Sequence, residues 1–212
     1  MEWSKWRPIY LQILEDLDFD IRADVESAEK LSNLVFSKRI PNCSTIVEKL
    51  GQHVSIVGAA ASLEDEVGTL SERDTIISAG SATARLMKLG LVPDILVTDL
   101  DGDVSSEIRA MESGALAFIH AHGDNMARID QVVPGLTTPF VPTVQCKPFG
   151  NVYNFGGFTD GDRAFLMASH FGVKDIKMIG WDLDRPYPKE GCDGSLKLRK
   201  LKWAREIIDL HR

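Results

Sequence analysis

Cysteine is scarce in this sequence, and what there is sits far apart. Cys43, Cys146 and Cys192 are the three in 212 residues. Their number and spacing exclude a disulfide framework and a Cys-x-x-Cys pair, and we expect buried or idle thiols. Positive charge is also in deficit: 24 Lys and Arg face 31 Asp and Glu, a net charge of -7. A dedicated nucleic-acid binder needs clustered Lys and Arg to neutralise phosphates, so nucleic acid is not an expected partner. A local basic patch for a small anionic ligand remains compatible with this balance. No run approaches the roughly 20 apolar residues that span a bilayer. The opening Met1-Glu2-Trp3-Ser4-Lys5-Trp6 has no apolar signal-peptide stretch. We therefore expect no membrane partner and a cytoplasmic location. Three phosphate or nucleophile signatures are missing too: Gly-x-x-x-x-Gly-Lys-Ser/Thr, Gly-x-Gly-x-x-Gly and Gly-x-Ser-x-Gly. P-loop kinases, classical dinucleotide enzymes and α/β-hydrolases are disfavoured accordingly.

What is present is an ordinary globular balance, 44% hydrophobic and 26% charged, which argues against disorder. Such a chain buries roughly 70% of its unfolded surface without needing disulfides. Residues 1–50 read as an N-terminal helical region. Ile9, Tyr10, Ile13, Leu14 and Leu17 recur at helical spacing after Pro8, expected in a first turn. Val25, Ala28, Leu31, Leu34 and Val35 repeat the pattern. These helices, with Trp3 and Trp6, would serve as a cap or an interface, and a homodimer surface is one use for them.

From His53 the texture changes, and 51–212 reads as an α/β catalytic domain. Short Val- and Ile-rich runs alternate with helical stretches, the pattern of a mostly parallel, doubly wound sheet. Strands are expected at His53–Val57, Thr75–Ser78, Ile95–Thr98, Ala115–His120, Phe140–Val144 and Ile176–Ile179. Helices are expected at Ser62–Thr69, Ala82–Leu89, Ser105–Ser113, Asp160–Phe171 and Leu196–Leu210. Ligands of open parallel sheets bind beyond the carboxyl ends of the strands. Those ends here carry Gly58 to Ser62, Gly80-Ser81, Asp99 to Asp103, His120 to Asn125 and Gly180-Trp181-Asp182. Glycine, small residues and carboxylates thus gather on one rim.

Asp99 and Asp101 leave an apolar strand two residues apart, which points both carboxylates to one face if the strand continues. Two like charges so close suit a hard cation such as Mg²⁺, which takes oxygen ligands from one or two carboxylates plus phosphates. A plain Asp- and Gly-rich turn is the alternative, and Asp124, closing the next strand, weighs against it. His120 and His122 raise a zinc pair, yet zinc wants three or four N or S ligands. His53, His170 and His211 lie at no supporting spacing. His122 then helps bind phosphate or organise the site, and His120 is structural. Thr159 or Asp160 caps a helix whose N–H groups suit a phosphate, with simple capping as the alternative. Gly58 to Ser62 offers a second, weaker turn of that kind. Near the C-terminus, Lys197, Arg199, Lys200, Lys202 and Arg205 form the densest basic segment, either a solvated face or, through Lys197 and Lys200, a polyphosphate contact.

Ala79-Gly80-Ser81-Ala82, Gly90-Leu91-Val92-Pro93-Asp94 and Thr98-Asp99-Leu100-Asp101 together resemble thiamine pyrophosphokinase catalytic domains. His120-Ala121-His122-Gly123-Asp124-Asn125, the Asn154-to-Ala164 segment with its Gly157-Phe158-Thr159-Asp160-Gly161-Asp162-Arg163 string, and Lys200-Leu201-Lys202-Trp203-Ala204 point closer. They resemble the related archaeal-type 6-hydroxymethyl-7,8-dihydropterin diphosphokinases from about His53 to the end. The resemblance implies a thiamine pyrophosphokinase-like fold and transfer of diphosphate from ATP to the pterin hydroxymethyl oxygen, releasing AMP, in folate or methanopterin synthesis. It implies Mg²⁺ as cofactor on Asp99, Asp101 and Asp124, with Asp101 or His122 accepting the alcohol proton. Nucleotide and phosphate handling falls to Ser62, Gly80, Thr159, Asp160, Asp162, Arg163, Lys197 and Lys200. Pterin recognition falls to Asn125, Phe158, Trp181 and Asp182. Members often show Gly-x-Gly-Pro-Ser-Leu after the first strand, where this chain has Gly58-Ala59-Ala60-Ala61-Ser62-Leu63. Ser62 and Leu63 fit that pattern; Gly58 is the weaker match. Three other readings stand beside this one: a thiamine acceptor, a haloacid-dehalogenase-type phosphatase with Asp99 as nucleophile, and a non-catalytic nucleotide-binding module.

Overall fold

A computed structural model describes residues 1–185 and 193–212 of the chain. Trp6, Tyr10, Ile13, Leu14 and Leu17 form the buried stripe of α1 (Trp3–Leu17). That helix starts five residues earlier than the sequence suggests, so Pro8 lies inside it rather than in its first turn. Pro8 has no N–H to offer the preceding turn, and the buried stripe holds the helix regardless. Asp20 caps α2 (Ile21–Leu34) by accepting from Arg22 N. Asn42 does the same for α3 (Cys43–Lys49) through Thr45 N.

The α/β part runs β1 (His53–Val57), α4 (Leu63–Glu66), β2 (Thr75–Ala79), α5 (Ala82–Lys88), β3 (Ile95–Thr98), α6 (Val104–Glu112), β4 (Leu116–Ala121) and α7 (Met126–Val132). It continues with β5 (Phe140–Val144), α8 (Asp160–His170), β6 (Asp175–Ile179) and α9 (Gly194–Asp209). The expected helix over 62–69 is a four-residue α4 followed by a 3₁₀ turn, Val67–Thr69. Helix α3 falls within the stretch read as helical, and α7 is unexpected from the sequence; each has seven residues, too short to display a period. All five strand pairings are parallel, in the order β5-β4-β3-β2-β1-β6. Every residue of β3, β4 and β5 is buried. Since successive side chains point to opposite faces, both faces of the sheet are covered there.

The N-terminal helices belong to the same core as the sheet: Trp6, Tyr10, Ala28 and Leu31 pack in one cluster with Ile95, Phe118 and Phe165. Trp6 Nε1 donates to Gln145 O at 2.8 Å, beyond β5. Among the described residues no helix is long and apolar enough to cross a membrane. Cys43 is exposed and Cys146 buried; burial pushes the Cys146 thiol up to about 12, which makes it unreactive. Cys192 lies outside the described residues.

The path of the sheet decides where a ligand can sit. Strands β1 to β5 step outward in order, and the chain then returns to lay β6 against the free side of β1. The reversal opens a crevice above the carboxyl ends of β1 and β6.

Candidate active site

That crevice is a cleft of about 940 Å³ lined from the exits of β1, β2, β3 and β6, the start of α8 and one side of α9. Backbone interlocks its floor: Gly58 N donates to Ile179 O and Ala60 N to Gly180 O, both at 2.8 Å. A Cβ on Gly58 would sit 2.7 Å from Gly180 O, so only glycine permits the approach. Arg85 Nη1 ties the same loop down through the carbonyls of Ala59 and Ala60, each at 2.8 Å. Of the residues singled out in the sequence, Gly80, Asp99, Asp101, Asp124, Phe158, Thr159, Asp160, Trp181, Asp182, Lys197 and Lys200 line this cleft.

The acidic side is built at the β3 exit. Leu100 adopts the left-handed region, φ 62°, and the turn closes with Asp101 N donating to Asp99 Oδ1 at 3.2 Å. His122 Nδ1 accepts from Asp124 N at 3.3 Å. Its proton therefore sits on Nε2, which donates to Asp99 Oδ2 at 3.2 Å. Burial works against ionisation of Asp99, yet the His122 hydrogen bond and the Arg163 charge hold it below the usual carboxylate range. Both His122 nitrogens are engaged, so the proton-accepting role expected for it is corrected: it orients Asp99.

The opposite side is the N-terminus of α8, capped by Thr159 and Asp162 in a reciprocal box. Asp162 is fully buried and accepts from Phe158 N at 2.6 Å, Thr159 N at 2.8 Å and the Thr159 hydroxyl. It is a cap, not a phosphate ligand. Asp160 pairs with Arg163 Nη1 at 3.1 Å. Burial and the nearby Asp99 charge raise its pKa well above the usual range, against the pull of Arg163. Arg163 is itself buried, with Nη2 donating to Phe158 O at 2.7 Å and Gln145 Oε1 at 3.0 Å. It stands behind the cleft and faces a 60 Å³ recess shared with Asp99, His122 and Lys200.

Three further expectations are corrected. Gly80 spends its N–H on Val97 O at 2.8 Å, and a Cβ there would lie 2.6 Å from Asp160 Oδ2; it supplies space rather than a phosphate donor. Asn125 is buried, donating to Asp99 O at 2.8 Å and His120 O at 2.7 Å while accepting from His122 N at 3.0 Å. It clamps the β3 and β4 exits instead of reading an acceptor. Ser62 heads the short α4 outside the cleft lining, and its hydroxyl serves Glu66.

The basic run on α9 divides. Arg199 pairs with Asp16 at 3.1 Å and Arg205 with Asp184 at 2.9 Å, whereas Lys197 and Lys200 turn into the cleft. Lys200 Nζ lies 5.1 Å from the Phe19 ring centre and 5.8 Å from that of Phe158. Burial lowers its pKa, opposed by Asp124. Trp181 Nε1 donates to Ile56 O at 3.0 Å, and its indole packs over Gly161, where a Cβ would collide with it. The ring is a fixed, flat wall.

Several contributors escape sequence reasoning. Glu107, from α6, is buried beneath the β3 exit with Oε1 accepting from Thr98 Oγ1 at 2.9 Å. Burial pushes its carboxyl up to about 7, assisted by Asp99 and Asp101 and opposed by Thr98. Asp24, from α2, accepts from Gly123 N at 2.8 Å, Gln145 Nε2 at 2.8 Å and Tyr10 OH at 2.6 Å. Neither residue carries a motif, because each acts through contacts distant in the chain. Arg185 joins the cleft lining from the loop after β6.

Among the described residues no three His, Cys, Asp or Glu side chains are grouped to hold a metal. Asp99, Asp101 and Asp124 nonetheless all line the one cleft. His120 is no zinc ligand either: it is buried, Nδ1 meets Thr143 Oγ1 at 3.0 Å, and burial keeps it neutral. An open pair of carboxylates still fits Mg²⁺, which keeps several waters and takes the remainder of its shell from substrate phosphates.

An α/β protein with carboxylates, lysines and a helix N-terminus around one cleft has the make-up of a phosphoryl-transfer site. The family model described as 6-hydroxymethylpterin diphosphokinase MptE-like matches residues 28–187. A 6-hydroxymethyl-7,8-dihydropterin pyrophosphokinase of Pyrococcus furiosus is 35% identical over 224 aligned residues, covering 99% of this chain and 94% of that protein. The protein of that name from Methanothermobacter thermautotrophicus is 36% identical over 223, covering 99% and 94%. Its namesake from Methanocaldococcus jannaschii is 35% identical over 234, covering 99% and 95%. The chain belongs to the archaeal-type 6-hydroxymethyl-7,8-dihydropterin diphosphokinase family.

Proposed function

We propose that the chain transfers diphosphate from ATP to the hydroxymethyl oxygen of 6-hydroxymethyl-7,8-dihydropterin, with AMP as the second product, on a thiamine pyrophosphokinase-like scaffold. The alcohol oxygen bonds to the β-phosphorus, the bond from that phosphorus to the α,β-bridging oxygen breaks, and the bridging oxygen leaves with AMP. The observation that carries this reading is the convergence of Asp99, Asp101, Asp124, Lys197 and Lys200 on one cleft in a member of this family. Mg²⁺, when bound, neutralises phosphate charge and lines up the displaced groups. Asp99, kept ionised and oriented by His122, and Asp101 would hold it. Lys197, Lys200 and the α8 N-terminus at Asp160 and Gly161 draw in the polyphosphate. Asp101, exposed and lining the cleft, would accept the alcohol proton. Trp181 and Phe158 supply flat apolar surface for the ring systems. Asp182 lines the same end of the cleft, its Oδ1 accepting from Asp184 N and Arg185 N at 2.9 Å. The phosphatase reading is less apt, since the family to which the chain belongs is named for diphosphate transfer to a pterin.

The test is direct. AMP should form only when ATP, Mg²⁺ and the pterin are all present, and Asp101→Ala should lower kcat by about a hundredfold or more at saturating Mg²⁺ and ATP. Wild-type turnover in Asp101→Ala overturns the assignment of Asp101, and AMP release independent of pterin overturns the acceptor.

A further inference from the structure

We infer that Thr98 and Glu107 are positioning residues that hold the Asp99-Leu100-Asp101 turn in the shape that presents its carboxylates to a cation. The inference rests on the reading of Asp99 and Asp101 as the metal-holding pair. Only Asp18 and Leu100 among the described non-glycine residues have a positive φ. Asp18 closes the end of α1, where a left-handed residue is common. Leu100 is different. A leucine gains nothing locally in that region, because its side chain cannot hydrogen-bond to its own backbone as Asn or Asp can, and it sits between the two acids. Such a conformation persists only where its surroundings over-determine it.

Three contacts do so. The Leu100 side chain is buried. Its N–H donates to Thr98 Oγ1 at 2.9 Å, and that hydroxyl donates onward to Glu107 Oε1 at 2.9 Å. A hydroxyl has one proton, so with Leu100 N–H on its lone pair and Glu107 accepting its hydrogen, the relay has a single direction. Gly102 makes room for it, since a Cβ there would lie 3.1 Å from Glu107 Oε1.

Glu107 is costly where it stands. It is 1% exposed, and its Oε2 has no hydrogen-bond partner among the described residues. Packing alone would favour an apolar side chain at that position. The relay explains the glutamate: it fixes the Thr98 rotamer, Thr98 fixes the Leu100 amide, and the left-handed turn sets the Asp101 N–H onto Asp99 Oδ1. From the other side Asn125 holds the Asp99 carbonyl. The acids are therefore gripped at the backbone, and both residues line the cleft.

Binding of Mn²⁺, as a paramagnetic stand-in for Mg²⁺, tests this without turnover. Titrations on wild type, Asp101→Ala, Thr98→Val, Thr98→Ser, Glu107→Met and Glu107→Gln are followed by electron paramagnetic resonance, with the half-saturating Mg²⁺ for AMP formation measured beside them. Thr98→Val and Glu107→Met should weaken Mn²⁺ about tenfold and raise the Mg²⁺ requirement similarly, with the KM for pterin unchanged. Thr98→Ser and Glu107→Gln, which keep the hydroxyl and the acceptor, should restore both. If Thr98→Val does not fold, Glu107→Met must show the same weakening, and wild-type Mn²⁺ affinity there overturns the inference. Mn²⁺ binding lost in Asp101→Ala but intact in Thr98→Val overturns the relay alone. Binding intact in Asp101→Ala overturns the metal reading and the relay with it.

Discussion

A carboxyl group buried away from water makes stability depend on pH, and Glu107 is such a group. Its folded value of about 7 lies above the ordinary 4.5 of a glutamate, so folding takes up a proton between those values. The sign follows: where the folded state binds more protons, stability falls as pH rises. The penalty is absent below about 4.5, grows across the window and is complete above about 7, reaching about 3 kcal/mol at most. Glu107→Gln removes the ionisation and keeps the acceptor for Thr98. Its melting temperature relative to wild type should be higher at pH 8 than at pH 5. Calorimetry at the two pH values checks this, and an equal difference at both would refute it. Glu107 was invisible in the sequence because α6 reads as an amphipathic helix wherever its glutamate points. Asp99 and Asp101 were legible because a strand exit followed by two acids leaves few other uses for them.

At the level of elements, α2 and the turn after β4 form a joint that the sequence did not reveal. Asp24 serves three buried or half-buried donors, Tyr10 OH, Gly123 N and Gln145 Nε2. Gly123 approaches so closely that a Cβ would lie 2.7 Å from the Ala23 Cβ. Removing the acceptor strands all three donors, each costing about 1–3 kcal/mol. Asp24→Ala should therefore lose about 3 kcal/mol or more in urea unfolding, and kcat should fall as the His122-Gly123-Asp124 turn loosens. A loss under about 1 kcal/mol would mean that water takes over the carboxylate's place. The strands were readable in sequence because Val- and Ile-rich runs between turns have few alternative structures. Helix α7 and the bounds of α3 were not, both helices being under two full turns, and the start of α1 was misplaced because Pro8 looked like a beginning. Ser62, Asn125 and Asp162 misled for a common reason: polar residues near a site serve its scaffold as often as its ligand.

On the scale of the whole molecule, an acidic chain binding an acidic nucleotide must separate the two charges. The net charge is -7, and Asp99, Asp101, Asp124 and Asp160 line the same cleft as Lys197 and Lys200. Bare ATP meets carboxylates there, whereas a divalent cation lets carboxylate and phosphate share one partner. ATP with Mg²⁺ should then raise the melting temperature much more than ATP alone; occupancy at a hundred times Kd stabilises by about 2.7 kcal/mol. Equal thermal shifts with and without Mg²⁺ would contradict a cation between them.

The position of β6 has a consequence for how the cleft is completed. The wall of the cleft at Gly180, Trp181 and Asp182 follows the last strand to be made, and that strand docks on the first. Without β6 and α9 in place the cleft lacks Trp181, Asp182, Lys197 and Lys200, and so one entire side. Closure of β6 on β1 therefore joins the two halves of the cleft, and any change that weakens that seam should loosen nucleotide capture along with it.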